Sequence, residues 1–222
     1  MGFKLAIDGP AASGKSTISA RLAKELGWNH IDTGSMYRAV TLVALEKKVD
    51  LEDENSYSFI KDLTIKYENE KIYIDGRDVT KAIREPIVNE NVSLVSSFPS
   101  VRKELVALQQ RAASHGNVIV DGRDIGTVVL PDADLKIFLI ASVDERSRRR
   151  YLDFLNSGKE VDVNKVRDDL QIRDQKDSTR KESPLIKASD AILLDTTDMS
   201  IEQTIEVIIK LINNKRGEWL WT

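Results

Sequence analysis

The densest chemistry in the sequence lies in Gly9-Pro10-Ala11-Ala12-Ser13-Gly14-Lys15-Ser16-Thr17. This run fits G-x-x-x-x-G-K-[ST] at every fixed position, between an apolar strand pattern at Phe3–Ile7 and a helical pattern that starts near Gly14. Small residues let backbone N–H groups turn inward around a phosphate, and a helix N-terminus adds favourable partial charge. Lys15 supplies a cation for β- and γ-phosphate oxygens, and the Ser16 hydroxyl is placed to ligate Mg²⁺. A bound nucleoside triphosphate follows. The class of protein does not, because switches, motors and small-molecule kinases share this loop.

Three further segments narrow the class. Asp32-Thr-Gly-Ser-Met-Tyr37-Arg38 and Asp121-Gly-Arg123-Asp124-Ile-Gly126 each close a predicted strand, where open α/β sheets bind ligands. Each brings an arginine suited to bidentate phosphate contact. The third is a pair of arginine-rich helical stretches, Glu145–Arg150 and Arg173–Arg180, on either side of a loop holding Gly158. Such runs also occur as solvated helix faces with i,i+4 pairing. Beside a phosphate loop and two strand-end arginines, they fit charge neutralisation during phosphoryl transfer.

Positioning these groups requires an alternating strand–helix chain. Strands are expected at Phe3–Ile7, His30–Asp32, Asn117–Asp121, Leu135–Ile140 and Ala191–Leu194. Helices are expected from Gly14 to a stop at Gly27, through Tyr37–Leu45, from Val101 to Ala113, over Val143–Leu155, through Lys176 and over Ile201–Ile212. Continuous apolar strands between helices predict an α/β fold with a parallel sheet covered on both faces. From about 50 to 98 the chain is more polar, and Thr64–Glu68 and Lys71–Asp75 alternate around Asn69-Glu70 as a hairpin would.

The chain has 222 residues, 41% hydrophobic and 31% charged, which suits a single domain with an insertion or lid. With no cysteine and two histidines, disulfides, thiolate metal sites and a cysteine nucleophile are excluded, and a histidine-rich centre is disfavoured. No signal peptide or membrane span is visible, so a cytoplasmic setting is expected. A net charge of −3 without an aromatic–basic stripe argues against nucleic acid. The tail Gly217–Thr222, which holds two of the three tryptophans, is expected to dock on the core or fray, with partner binding as the alternative.

The sequence as a whole resembles bacterial cytidylate kinases. The resemblance rests on Gly9-Pro-x-x-Ser-Gly-Lys-Ser16, Asp32–Arg38, Ser96-Ser-Phe-Pro-x-Val-Arg102, Asp121–Val129 and Arg173-Asp-x-x-Asp177-x-x-Arg180, in that order, over all but the last few residues. It implies a P-loop NTPase-type parallel sheet with helices on both faces. The core would span about 1–49, 99–155 and 163–222, with a monophosphate-binding insertion at about 50–98 and a lid at about 156–162. It implies transfer from ATP to CMP or dCMP, with Mg²⁺, by a monomer whose partners are small molecules. By the same resemblance Thr33, Arg38 and Arg123 hold the acceptor's monophosphate; the family more often has serine at the position of Thr33. Ser93, Arg102, Asp124 and Arg180 surround the cytosine ring, Arg173 and Asp177 meet the ribose, and Arg146, Arg149 and Arg150 are lid residues facing ATP. Asp121 is open between a metal–water carboxylate and a structural partner for Arg123 or the phosphate loop. Asp124 is open between reading the base and orienting Arg123 or Arg180.

Rivals make distinct demands. A kinase for another small acceptor, such as UMP or dephospho-coenzyme A, is the nearest rival, and turnover across CMP, dCMP, UMP and AMP separates them. A GTP-dependent switch needs Asn-Lys-x-Asp, and Asn213-Asn-Lys-Arg216 lacks the final aspartate.

Overall fold

In the computed structural model, the structure describes residues 2–68, 71–156, 158 and 160–217. Five strands, β1 (Lys4–Asp8), β2 (Asn29–Asp32), β6 (Val118–Gly122), β7 (Leu135–Ile140) and β8 (Ile192–Asp195), form one sheet in the order β2-β6-β1-β7-β8. Every pairing in it is parallel. Of the remaining strands, β3 (Ile65–Glu68), β4 (Lys71–Ile74) and β5 (Arg77–Asp78) make a separate antiparallel sheet.

The sheet separates two apolar layers because strand side chains alternate. Ala6, Val118 and Val120 face one layer with α2 (Thr33–Glu46), α3 (Pro86–Val95) and α4 (Pro99–Ala112). Leu5, Ile7, Ile119, Ile137 and Leu139 face the other with α1 (Lys15–Leu26) and α7 (Ile201–Arg216). The central strands carry their functional groups at their carboxyl ends. Ile7 pairs with Asp121, Asp8 with Gly122, and Asp32 with Asp121, so three aspartates close three adjacent strands at one edge. From β1 the chain passes to β2 on one side, and later from β6 across β1 to β7 on the other. Ligands in such sheets bind at this reversal.

The hairpin lies where the alternation predicts, with Glu68 opposite Lys71; Asn69 and Glu70 fall outside the described residues. The rest of the polar segment holds more structure than the sequence indicated: 3₁₀ turns at Glu54–Asp62 and Ala82–Arg84, the short β5, and helix α3. Pro86 opens α3 where its missing N–H costs nothing, and Val88, Val92 and Val95 are buried. With Ile72, Ile74, Val79 and Ile83 they join the same apolar cluster as α2 and β6.

Helices α5 (Val143–Asn156) and α6 (Val163–Thr179) bracket the Gly158 loop. Of the expected lid, residues 157 and 159 lie outside the described residues, as do 218–222 of the tail. Among the described residues no helix is long and apolar enough to cross a membrane.

Candidate active site

The phosphate loop joins β1 to α1. A Cβ on Gly9 would sit 2.1 Å from the Leu139 carbonyl oxygen, and Gly14 caps α1 at φ +91, so both positions require glycine. Lys15 is buried and donates Nζ–H to its own loop at Pro10 O, 3.0 Å away. Burial and the nearby Arg123 push the Lys15 ammonium down to about 7.

Two arginines of α5 hold the loop from different sides. Arg146 is buried and donates Nε–H to Ala141 O and an Nη1 proton to Ala11 O, at 3.0 and 3.1 Å. Its Nη1 also reaches Asp174 Oδ2 on α6 at 2.5 Å, and Asp174 Oδ1 accepts the Ala11 N–H at 3.1 Å. Arg149 donates to Ser13 O at 3.1 Å and to Thr196 O at 2.8 Å, bridging the loop to the end of β8. Between the loop, Arg149, Thr196, Met199 and Ile201 lies a cavity of about 450 Å³, a size suited to a nucleoside.

The strand-end aspartates organise the opposite wall. Asp121 accepts from Ser16 Oγ at Oδ2, 2.6 Å, and contacts His30 Nε2 through Oδ1 at 2.7 Å. Its carbonyl accepts the Thr33 hydroxyl proton at 2.8 Å, so that hydroxyl already has an acceptor. Asp32 caps α2, accepting from Ser35 N at 3.0 Å and from Arg38 Nη2 at 3.0 Å. Burial works against its charge, but Arg38 and Ser35 hold the carboxyl below the usual range. Asp8 accepts the N–H groups of Ile125 and Gly126, both at 2.7 Å, and so anchors the π-helical turn Ile125–Val129 that follows Asp124. Burial pushes Asp8 up to about 6, against the pull of those two amides.

Ser16 and Asp121 present hard oxygens side by side next to Lys15. Among the described residues no group of three or more His, Cys, Asp or Glu forms a protein-only metal cage. That combination fits Mg²⁺, which keeps several waters and takes phosphate oxygens as ligands. Of the alternatives open for Asp121, its carboxylate pairs with the loop serine, while Arg123 turns its Nε–H to Asp177 Oδ2 at 2.9 Å.

Beyond the loop the arginines crowd together. Burial pushes Arg173 down to about 10, with Arg123, Arg38 and Arg150 adding repulsion and Asp177 opposing them. The Asp177 carboxyl, despite burial, is held low by Arg123 and Arg173. Arg150 lies with its guanidinium 4.8 Å from the Phe154 ring centroid. Arg102 pairs with Asp124 Oδ2, donates to Ser96 O at 3.1 Å, and stacks 5.2 Å from the Tyr37 ring centroid. Arg180 Nη2 lies 3.8 Å from Asp124 Oδ1 and its Nε–H goes to Ser183 O at 2.7 Å. Half-buried on α3, Ser93 accepts at its carbonyl from Ser96 Oγ, 3.2 Å away.

Four guanidinium nitrogens, Arg38 Nε, Arg102 Nε, Arg173 Nε and Arg180 Nη2, are buried and meet no acceptor among the described residues. Buried donors are rarely left unpaired, and four of them, on α2, α4, α6 and the residue that ends α6, suit an anionic, oxygen-rich ligand.

The segments expected to carry chemistry thus meet at one edge of the sheet. Arg146 meets the loop at Ala11 with acceptors on its Nε and Nη1, whereas Arg149 meets it at Ser13 and Arg150 lies near Arg38 and Arg84. Sequence reasoning passed over Asp8, His30, Gly122 and Asp174. A charged residue closing an apolar strand, as Asp8 does, was the available signal; Gly122 and Asp174 stand inside motifs already quoted, and nothing local marks His30.

The family model described as cytidylate kinase matches residues 5–214. A cytidylate kinase of Acholeplasma laidlawii is 58% identical over 216 residues, 97% of this chain and 97% of its own. One of Caldanaerobacter subterraneus is 48% identical over 217 residues, again 97% of each chain. Among solved structures, an uncharacterized protein from Eubacterium ventriosum shares the fold, with a TM-score of 0.56 at 12% identity over 95% of this chain and 98% of its own.

Proposed function

The chain belongs to the cytidylate kinase family, and we propose that it transfers the γ-phosphoryl group of ATP to CMP and dCMP, giving CDP and dCDP. The supporting observation is the set of buried guanidinium donors on Arg38, Arg102, Arg173 and Arg180 that meet no acceptor among the described residues. ATP lies with its phosphates on the loop amides and its nucleoside in the cavity under Arg149. Ser16 and Asp121 would hold Mg²⁺ beside the loop, and the ion would supply charge neutralisation at the phosphate oxygens.

The acceptor enters between α2, α3 and α6. Its monophosphate takes Arg38, Arg123 and the N-terminus of α2 at Thr33, and its ribose hydroxyls take Arg173 and Asp177. Its cytosine lies among Ser93, Arg102, Asp124 and Arg180. Lys15, Arg123 and Arg150 stabilise charge on the transferring group, and Arg149 aligns the donor; Arg146 positions the loop beneath. Transfer forms a bond from an acceptor phosphate oxygen to Pγ and breaks the bond to the β–γ bridging oxygen, leaving ADP. Little covalent help is needed, so positioning and charge dominate.

The division into core, acceptor-binding insertion and an α5–α6 lid belongs to the same reading, as do a monomeric state, a cytoplasmic location and small-molecule partners alone. Turnover of CMP, dCMP, UMP and AMP with a coupled ADP readout tests the substrate assignment. CMP and dCMP are expected to lead in kcat/KM, and a preference for UMP or AMP would reject it.

A further inference from the structure

Asp121 is held at both carboxylate oxygens, and only one holder belongs to the phosphate loop. Its side chain is 1% exposed; Oδ2 accepts from Ser16 Oγ, and Oδ1 lies 2.7 Å from His30 Nε2. The β2–β6 register explains the reach. His30 pairs with Ile119 and Asp32 with Asp121, which places His30 diagonally beside Asp121 on the same sheet face. An ionised carboxylate can only accept, so Nε2 must carry the proton in this contact. The imidazole is itself 7% exposed and meets the Tyr67 ring edge-on, centroids 5.8 Å apart. Tyr67 belongs to β3 of the insertion, so one ring touches both the insertion and the strand-end carboxylate.

We propose that His30 is a positioning residue for Mg²⁺: by donating Nε2–H to Asp121 Oδ1 it keeps Oδ2 directed at Ser16, where the ion would be held. This rests on the placement of Mg²⁺ at Ser16 given above. Asp121 has no other side-chain partner among its described hydrogen bonds, so without His30 one oxygen loses its only donor and the carboxylate is free to turn about χ2. Partners of this kind are worth about 10–100-fold in metal affinity or activity when removed.

The experiment compares wild type with His30→Leu and His30→Met, which lack the donor, and His30→Gln, which keeps one. Two readouts are taken: the Mg²⁺ concentration for half-maximal CMP kinase rate, and calorimetric affinity for ATP with Mg²⁺ and with EDTA. Loss of the donor is expected to raise half-saturating Mg²⁺ about tenfold or more and to shrink the Mg²⁺-dependent gain in ATP affinity by a similar factor. ATP binding in EDTA is expected to hold, and His30→Gln to recover most of the Mg²⁺ response. If His30→Leu and His30→Met lower the melting temperature but leave both Mg²⁺ responses at the wild-type value, His30 is structural and the inference is overturned. If wild type itself gains no ATP affinity from Mg²⁺, the placement of the ion at Ser16 is what fails.

Discussion

Replacing Asp124 with asparagine separates reading the base from holding an arginine. Asp124 is 4% exposed, with Oδ2 committed to Arg102. Oδ1 stands 3.8 Å from Arg180 Nη2, too far for a hydrogen bond, so it keeps lone pairs for a ligand. Cytosine offers an amino donor where uracil offers a carbonyl acceptor. A carboxylate facing a carbonyl leaves two acceptors opposed, and a buried polar group without its partner costs about 1–3 kcal/mol, more when charged. Wild type should therefore favour CMP over UMP roughly tenfold to a few hundredfold in kcat/KM. In Asp124→Asn the amide satisfies Arg102 with its oxygen and turns its NH₂ toward the base. CMP then meets a donor and falls, UMP meets a matching partner, and the ratio should drop at least about tenfold. Arg102, itself 4% exposed, also loses its charged partner; removing one member of a buried pair costs up to about 3–5 kcal/mol, so the melting temperature should fall. The assay is the coupled ADP readout with CMP and UMP as acceptors, run well below the variant's melting temperature. Equal losses for both acceptors, with the CMP/UMP ratio unchanged, would refute base reading and leave Asp124 as the holder of Arg102 alone.

Other perturbations reach the remaining parts of the site. Lys15→Ala should lower kcat by far more than about tenfold, a loss worth ~1.4 kcal/mol, with an unchanged circular dichroism spectrum because among the described residues Nζ bonds only its own loop at Pro10; a smaller loss would contradict its role at the transferring phosphate. Asp8 titrates near 6 in the fold against about 3.9 unfolded, so the native state holds the proton more tightly and wild type gains stability as pH falls through that window. Denaturant unfolding at pH 7 and pH 4 should shift the wild-type-minus-Asp8→Asn difference by about 2 kcal/mol in favour of wild type at pH 4, and a pH-independent difference would reject the buried carboxylate. A Cβ on Gly122 would stand 2.5 Å from Thr33 Oγ1 and 2.7 Å from Ile125 Cδ1. Gly122→Ala should cost about 1–3 kcal/mol in stability and raise KM for CMP more than KM for ATP, and equal KM changes would show that the strand end does not serve the acceptor side.

What could be read from the sequence was what neighbouring residues decide. The loop Gly9–Ser16 sits between β1 and α1 because its glycines and its lysine act within one turn of the chain, and Gly27 ends α1 where expected with φ +65. The apolar runs of β1, β6 and β7 and the alternation of β3 and β4 likewise announce their own structure. Helix α3 was missed because Pro86–Val95 is rich in β-branched valine and asparagine, poor helix formers; burial of Val88, Val92 and Val95 in the main apolar cluster stabilises it. The π-helical turn after Asp124 escaped for the same kind of reason, since Asp8, 117 residues away, holds its amides. Candidate arginines were legible as types at spacings, but not as partners. Arg102 finds Asp124 across 22 residues, Arg123 finds Asp177 across 54, and Ser16 finds Asp121 across 105. Arg146 and Arg149 stand one helical turn apart, yet the first meets Ala11 O and Asp174 on α6 while the second meets Ser13 O and Thr196 after β8. Local propensity and spacing determine which elements form and which groups they carry; which charge meets which, and which donors remain open for substrate, is decided only when the sheet brings distant strand ends to one edge.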